Sequence, residues 1–267
     1  MNYFNKVGII GLGFVGGAVR ASFEGGMTEL VLVDTDPNKA HGTYNDLMSC
    51  EGVFVCVPSP SNEDGSCNTS ILENVLENLK EYTGVIISKT TAPISKYEEL
   101  NKKYLNLVHN PEFLTAANAN SDYINQEFAI IGGSVRAYVN EAERVIRLSL
   151  PTLSSVYQCS IGEASLAKYT INCFLATKVV FMNEIQQLAT ESKLDYNKIV
   201  RMITADKRIG NSHMKVPGPD GAFGFGGACF PKDTAALLKY TENLNSSLNV
   251  LESAVKKNTL LRLTDSK

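Results

Sequence analysis

The chain has 267 residues, of which 44% are hydrophobic and 20% are charged, and its formal net charge is −3. This composition is that of an ordinary globular protein with a sizeable core, in one large or two smaller domains. The slight acidity and the lack of basic runs argue against nucleic acid as the main partner. No apolar run approaches the roughly 20 residues of a membrane span, and residues 1–6 carry no signal-peptide pattern, so we expect a cytoplasmic protein.

The six cysteines are scattered along the chain. Disulfides are rare in a reducing compartment, and the chain has no Cys-x-x-Cys pair that would suggest a zinc site. We therefore expect reduced thiols and no bound metal.

The first predicted element is a short apolar strand, Val7–Ile10, which runs into Gly11-Leu12-Gly13-Phe14-Val15-Gly16. A helix is predicted from Val15 to Phe23. A second strand, Leu30–Val33, follows and ends in Asp34. Three glycines alone are weak evidence, but glycines between a strand and a helix, with an acid after the next strand, predict a Rossmann-type dinucleotide site.

Each residue of this fingerprint has a physical role. Gly11 makes the tight turn, Gly13 admits the pyrophosphate at the helix N-terminus, and Gly16 lets the helix pack on the strand. Asp34 would bind the ribose hydroxyls and repel a 2′-phosphate, which favours NAD over NADP. Lys39 is either a further contact or a solvated surface lysine. The predicted cofactor contacts are Gly11, Gly13, Phe14, Val15, Gly16, Asp34 and Lys39.

Three further short, β-branched segments are predicted as buried parallel strands, at Val53–Val57, Val85–Ser88 and Phe128–Ile131. Pro58-Ser59 follows the first of them and Thr90-Thr91 follows the second. Ligands of open α/β sheets bind beyond the carboxyl ends of the strands. These loops are therefore predicted to face the cofactor.

The second half of the chain is dominated by one predicted helix, because Glu163 to about Ser192 contains no glycine or proline and has apolar residues at helical spacing. Lys168 and Asn172 share a face of this helix. They could hold an oxyanion or a sugar hydroxyl, or they could be a solvated lysine and a locally bonded asparagine. Cys173 is predicted to lie in the hydrophobic core. The long apolar face needs a partner, which a second copy of the chain could provide.

Cys229 lies in the stretch Gly224–Asp233, between a run of glycines and Pro-Lys-Asp. Glycines let the backbone approach a ligand closely. Cys229 is a candidate nucleophile, Asp233 a candidate base or water-holding group, and Lys232 could lower the pKa of the thiol. The alternative is a buried cysteine in a tight turn.

Taken together, these motifs resemble the UDP-glucose/GDP-mannose dehydrogenase family, whose members oxidise a nucleotide-sugar alcohol to the acid with two NAD+. The matching pieces follow the family order over nearly the whole chain. They are the glycine fingerprint, Val57-Pro58-Ser59-Pro60, Lys89–Pro93, Asn110–Leu114, Lys168–Lys178 and Gly224–Asp233.

The resemblance implies roles for several side chains of these motifs. Cys229 would attack the sugar aldehyde and carry a thioester, while Lys168 and Asn172 would stabilise the oxyanions. The residues that would activate or position water and assist proton transfer are Asp233, Thr91 and Glu112. Further cofactor contacts are predicted at Pro58, Ser59, Thr91 and Lys232. Substrate contacts are predicted at Phe113, Leu114, Lys215, Phe225, Gly226 and Arg208, the last reaching the neighbouring subunit.

Taken singly, Glu112 is interpreted as a helix cap rather than as an acid or base. The chain also departs from the family, because Ala116 and Ser165 stand where members often carry glutamates. It ends at Lys267, about where a further nucleotide-binding domain would start. We therefore expect that domain to be missing and substrate binding to be weak.

We expect an α/β protein, with a Rossmann-type doubly wound sheet in residues 1–160 that binds NAD. An all-helical segment, residues 161–267, is expected to form a homodimer and to carry Cys229. The predicted function is NAD-dependent oxidation of a nucleotide sugar such as UDP-glucose to the carboxylate in two hydride transfers. The alternatives are a two-electron β-hydroxyacid-type dehydrogenase and a non-catalytic NAD-binding module.

Overall fold

The computed structural model describes residues 5–115, 117–242 and 244–264, so Ala116 lies outside the described residues. The chain divides into two compact units. The first contains Met1–Pro60 and Cys67–Lys168, and the second contains Ser61–Ser66 and Tyr169–Lys267. The domain boundary between residues 160 and 161 stays a prediction from the sequence.

The first unit is built on a seven-stranded sheet with the order β2-β1-β3-β4-β5-β6-β7. The strands are β1 Lys6–Ile10, β2 Glu29–Val33, β3 Gly52–Val55, β4 Val85–Ser88, β5 Leu107–His109, β6 Phe128–Gly132 and β7 Ser155–Cys159. Neighbouring strands are parallel except β5 and β6, which are antiparallel. Strands β3, β4 and β5 are buried along their whole length, as parallel strands covered on both faces should be.

Helices cover both faces of this sheet. They are α1 Phe14–Ser22, α2 Tyr44–Leu47, α3 Ser70–Asn78, α4 Ile94–Lys103, α5 Ala119–Ile124 and α6 Arg136–Ser149. One apolar cluster joins α1 and α6 to the sheet through Val19, Phe54 and Val145. A second joins α3 and α4 to it through Leu72 and Ile86 among others. The unit is therefore doubly wound, and the carboxyl ends of β1 to β5 share one edge of the sheet.

The second unit is helical. Helix α7, Ile161–Glu191, begins in the first unit and continues through the second, where α8 Tyr196–Ile203, α9 Phe230–Thr241 and α10 Asn249–Thr264 follow it. One cluster, which includes Ala176, Phe225 and Leu261, packs α7, α10 and the loop before α9. Another packs α7 and α8 around Met182, Tyr196 and Met214. Within the described residues no helix is both long and apolar enough to cross a membrane.

The predicted fold class is confirmed, and the element bounds need small corrections. Strand β3 ends at Val55 rather than at Val57, since the chain there leaves the sheet towards the loop after β3. Helix α9 starts at Phe230, directly after Cys229. Its first turn contains Pro231, whose fixed backbone angle suits the start of a helix.

Candidate active site

The turn between β1 and α1 requires glycine at two positions. Gly11 has a φ of +85°, in the left-handed region, and a Cβ there would lie 2.9 Å from the carbonyl oxygen of Cys56. A Cβ on Gly16 would lie 1.8 Å from the carbonyl oxygen of Gly11. At Gly13, by contrast, the described residues other than its two chain neighbours place no atom within 4 Å of the Cβ position, so the backbone is open to a ligand. This is the geometry that a pyrophosphate at the N-terminus of α1 needs.

Asp34 ties this turn to the end of β2. Its Oδ2 accepts a hydrogen bond from the Leu12 backbone N–H at 2.5 Å, and its Oδ1 accepts one from Asp36 at 2.8 Å. Burial opposes ionisation, but the hydrogen bonds from Asp36 and Leu12 outweigh it and lower the pKa of the Asp34 carboxyl. An ionised carboxylate keeps further lone pairs for ribose hydroxyls.

A cavity of about 790 Å³ opens beside the fingerprint, in the size range of cofactor sites. Three of its lining residues, Gly13, Phe14 and Lys39, are predicted cofactor contacts. The remaining lining residues are Leu12, Gly17, Ala117, Asn118, Ala119, Asn120 and Ser121. Sequence reasoning missed residues 117–121, because a short polar run after the Asn110–Leu114 motif has no signature of its own. The open Gly13 backbone and this cavity fit a dinucleotide.

The loops after β3 and β4 are tied together by their hydroxyl groups. Ser59 is buried, and its Oγ donates to the Thr91 carbonyl at 2.6 Å. Thr90 Oγ1 donates to the Val57 carbonyl at 2.8 Å. The Ser59 hydroxyl therefore holds the backbone of Thr91, while Pro58 is exposed beside it.

Glu112 and Lys168 form a buried ion pair in the first unit. The Lys168 Nζ lies 3.0 Å from Glu112 Oε1, and the side chains are 4% and 11% exposed. Lys168 also donates to the Glu112 carbonyl and lies 5.2 Å from the centre of the Phe113 ring. Glu112 Oε2 accepts from the Leu114 N–H at 2.7 Å. Lys168 is thus not a solvated lysine, and Glu112 does not cap a helix, since α4 ends at Lys103 and α5 begins at Ala119.

Lys89 is a buried lysine that the sequence did not single out. Its Nζ donates to Asn110 Oδ1 at 2.7 Å and lies 5.1 Å from the centre of the Tyr123 ring. Asn110 in turn donates to the Ile130 carbonyl at 2.8 Å. Burial lowers the pKa of Lys89 to about 8. Lys89 therefore fixes the backbone from which Glu112 projects.

Cys229 is the N-cap residue of α9 and is exposed. Its carbonyl accepts the Asp233 N–H at 2.8 Å, which closes the first turn of the helix. The N-terminus of a helix favours nearby negative charge, including a thiolate. The exposure rules out the interpretation of Cys229 as a buried cysteine in a tight turn.

Asp233 is buried and its two carboxylate oxygens are occupied by different partners. Asn172 Nδ2 donates to Oδ2 at 2.6 Å, and Lys232 Nζ lies 2.5 Å from Oδ1. Asn172 is therefore not bonded locally. Cys173, the next residue of α7, is core, and its Sγ lies 3.7 Å from the Asp233 carbonyl oxygen. Burial raises the pKa of the Cys173 thiol to about 12.

The predicted substrate residues of the second unit differ in exposure. Arg208 is 88% exposed and pairs with Asp206 at 2.5 Å, and Lys215 is exposed as well. Lys178 of α7, which the sequence did not single out, holds this loop by donating to the Ile209 and Gly210 carbonyls at 3.0 and 3.3 Å. In the loop before α9, Phe225 is buried and Gly226 half-buried. In the described part of the chain, no group of three or more His, Cys, Asp or Glu could hold a metal ion.

Comparison with known proteins bears on both units. Residues 40–148 match the NAD binding domain of the UDP-glucose/GDP-mannose dehydrogenase family, and residues 162–260 match the central domain of the same family. The chain belongs to this family. The match to its NAD binding domain confirms the prediction of NAD as cofactor. That match starts after the glycine fingerprint, whose geometry supports the same cofactor separately.

Among members of the family, a UDP-glucose 6-dehydrogenase of Bacillus subtilis is 29% identical over 252 residues, covering 88% of this chain and 55% of the relative. A UDP-glucose 6-dehydrogenase of Rickettsia bellii is 31% identical over 229 residues, covering 80% and 51%. The chain thus spans about half the length of the curated relatives that it matches.

Solved structures share the fold. A UDP-glucose dehydrogenase from Pyrobaculum islandicum superposes with a TM-score of 0.81 at 22% identity, over 97% of this chain and 68% of the other. A 3-hydroxyisobutyrate dehydrogenase from Mycobacterium tuberculosis superposes with a TM-score of 0.74 at 16% identity, over 95% and 92%. At these identities the likeness concerns the fold alone.

Proposed function

We propose that this protein oxidises the primary alcohol of a nucleotide sugar of the UDP-glucose class to the carboxylate. NAD+, which the Gly11–Gly16 turn and Asp34 would hold, would supply the hydride acceptor for each of the two oxidation steps. The observation that carries the proposal is an exposed cysteine at the N-terminus of α9, one turn before a buried aspartate, in a member of this family. A dehydrogenase that stops at two electrons has no use for such a nucleophile.

Cys229 acts in the second oxidation. Its thiolate adds to the aldehyde carbon to give a thiohemiacetal, which loses hydride and becomes a thioester. Water then attacks the thioester, so that the acid leaves and the thiol is restored. Asp233 helps to position that water, and the bonds from Asn172 and Lys232 fix its carboxylate. The Asn172 amide also stabilises the negative charge that develops on the oxygen of the reacting carbon.

Lys168 stabilises the negative charge that develops on the substrate oxygen in both oxidations. Glu112 holds the ammonium group through its side chain and its carbonyl, so the lysine is oriented before the substrate binds. Thr91 and Glu112 assist the transfer of the proton from the alcohol. These roles follow the family pattern and are assigned to this chain as a proposal.

An NADH count tests the function directly. We expect two NADH per molecule of acid in a screen of UDP-glucose, its N-acetyl and epimeric relatives, and GDP-mannose. One NADH per substrate would favour the β-hydroxyacid-type alternative, whose fold the mycobacterial structure shares. Tight NAD binding with no NADH from any sugar would favour a non-catalytic module.

We also propose that two copies of the chain pair through α7. Phe174, Phe181 and Leu188 are 66%, 57% and 62% exposed and recur at a heptad spacing, which is typical of a helix seam between chains. An apolar stripe of this kind is an interaction site by default, and a second copy offers the same stripe. The exposed Arg208 would then reach the substrate of the neighbouring subunit.

Sedimentation equilibrium of the intact protein tests the pairing. We expect a dimer for the parent chain and a monomer for Phe181→Glu, because the substitution places a charge in the seam. Met27→Glu, at an apolar residue of the first unit that is 74% exposed, is the control and should remain dimeric. A parent chain that sediments as a monomer at micromolar concentration would contradict the pairing.

A further inference from the structure

The loop before Cys229 is held by two side chains of α10. Asn258 accepts the Phe225 N–H on Oδ1 at 2.6 Å and donates from Nδ2 to the Phe225 carbonyl at 3.0 Å. The same carbonyl accepts Arg262 Nε at 3.0 Å. Arg262 is itself anchored, because its guanidinium lies 2.8 Å from Asp220 Oδ2. We call Asn258 and Arg262 the α10 clamp.

The clamp explains two glycines of the Cys229 stretch. Gly224 has a φ of +72°, and a Cβ there would lie 2.3 Å from Asn258 Oδ1. A Cβ on Gly226 would lie 2.0 Å from an Arg262 guanidinium nitrogen. The sequence suggests that these glycines admit a ligand, but the structure shows that they make room for the clamp. Gly224 also donates its N–H to Asn183 Oδ1 on α7 at 3.0 Å.

The clamped residue is in contact with the helix that Cys229 caps. The Phe225 ring meets the Phe230 ring edge-on, with 6.2 Å between centres and an angle of 83°. Phe230 directly follows Cys229 and is the first residue of α9. A fixed Phe225 therefore helps to hold the first residue of α9, which directly follows Cys229.

The clamp is more polar than packing alone requires. Asn258 is only 9% exposed, and a buried amide is unfavourable unless its hydrogen bonds are made. Its two bonds to one residue of the loop, with a third from Arg262, specify a single loop conformation. An apolar side chain would fill the space without fixing the loop.

We propose that Asn258 and Arg262 are positioning residues for Cys229, and that loosening the clamp impairs the cysteine step selectively. The effect on turnover rests on the proposed function, whereas the effect on the thiol does not. A reacting group displaced by about 1 Å can cost about 100-fold in rate. Cys229 is already exposed, so a looser loop gains little access and loses its alignment with the helix N-terminus.

The test compares Asn258→Ala with the parent protein. At neutral pH we expect alkylation of Cys229 by iodoacetamide, followed by peptide mass spectrometry, to slow about tenfold as the thiolate loses the helix terminus. We expect acid formation to fall about 10–100-fold. Aldehyde captured by semicarbazide should rise, and the affinity for NAD+ should be unchanged.

Three further variants sharpen the result. Lys256→Ala on the exposed side of α10 should match the parent protein. Asp220→Asn removes the negative charge that anchors Arg262 and should give a smaller effect of the same kind. Arg262→Lys keeps a positive charge near Asp220 but loses the Nε bond, and it serves as the test if Asn258→Ala does not fold.

The outcomes separate the two proposals. Slower Cys229 alkylation without NADH from any sugar would support the clamp and reject the proposed function. A folded Asn258→Ala or Arg262→Lys with a lower melting temperature, but with unchanged alkylation and an unchanged ratio of aldehyde to acid, would overturn the clamp as a positioning device.

Discussion

Two cysteines of the second unit hydrogen-bond to the backbone of Asp233 and have opposite surroundings. Cys229 offers its carbonyl to the Asp233 N–H and leaves its side chain exposed at the N-terminus of α9. Cys173 points its thiol at the Asp233 carbonyl from within the core, and burial raises its pKa to about 12. Proximity to the aspartate is therefore common to both. What distinguishes the proposed nucleophile, Cys229, is its exposure and its place at a helix terminus.

The largest expected effect comes from substituting these two cysteines in turn. Cys229→Ala should lower acid formation by more than about 10³-fold, because the covalent route is lost. Cys173→Ala should leave acid formation within about twofold and should lower the free energy of unfolding by about 1 kcal/mol through loss of buried volume. Acid production by NADH release and urea unfolding measure the two quantities. Equal activity losses in both variants would contradict the claim that only Cys229 reacts with the substrate.

A second prediction concerns the buried ion pair of Lys168 and Glu112 in the first unit. Lys168→Met should lower turnover about 10²–10³-fold, because the charge that stabilises the substrate oxygen is lost. It should also lower the free energy of unfolding by about 3–5 kcal/mol, since Glu112 is left buried and unpaired. Adding Glu112→Gln should recover most of the stability and none of the turnover. If the double variant regains activity, Lys168 acts only through folding.

A smaller effect is expected at Asp34, which is partly exposed and already bonded to backbone. Asp34→Ala should weaken NAD binding about tenfold, because a tenfold loss of affinity is close to the free energy of one hydrogen bond to a charged group. It should also reduce the preference for NAD over NADP. Asp36→Ala keeps the Asp36 N–H and should leave both affinities unchanged. Titration of each variant with NAD and with NADP, by calorimetry or fluorescence, measures both affinities. An unchanged NAD affinity in Asp34→Ala would contradict the prediction that Asp34 contacts the cofactor.

The parts of the fold that the sequence predicted are those with local signatures. The turn at Gly11–Gly16 is set by backbone sterics within one strand–helix unit, so its pattern is visible in consecutive residues. Strand β5 is only three residues long, and β7 lies at the sheet edge with mixed polarity, so neither gives a clear apolar run. Edge strands with one solvated face have a weak pattern of this kind.

The parts of the site that the sequence did not predict depend on contacts between distant residues. Asn172 and Asp233 are 61 positions apart, and Phe225 and Asn258 are 33 apart. Spacing within one motif cannot show such pairs, because the packing of helices decides which side chains meet. The sequence therefore suggested Cys229, Asn172 and Asp233 one by one, whereas the bond between Asn172 and Asp233 and the contacts of Asn258 became visible only in the folded chain.

The central claim is that Cys229 carries the acyl group, and trapping that group is the most direct test. The protein is incubated with NAD+ and a nucleotide sugar that it oxidises, and the reaction is quenched in acid. The protein is then digested and analysed by mass spectrometry. Asp233→Asn is run in parallel because slower hydrolysis should accumulate the thioester. We predict a hydroxylamine-labile acyl mass on the Cys229 peptide, present in Cys173→Ala and absent in Cys229→Ala. Acid formation with an unmodified Cys229 peptide in Asp233→Asn, or undiminished acid formation by Cys229→Ala, would contradict the claim.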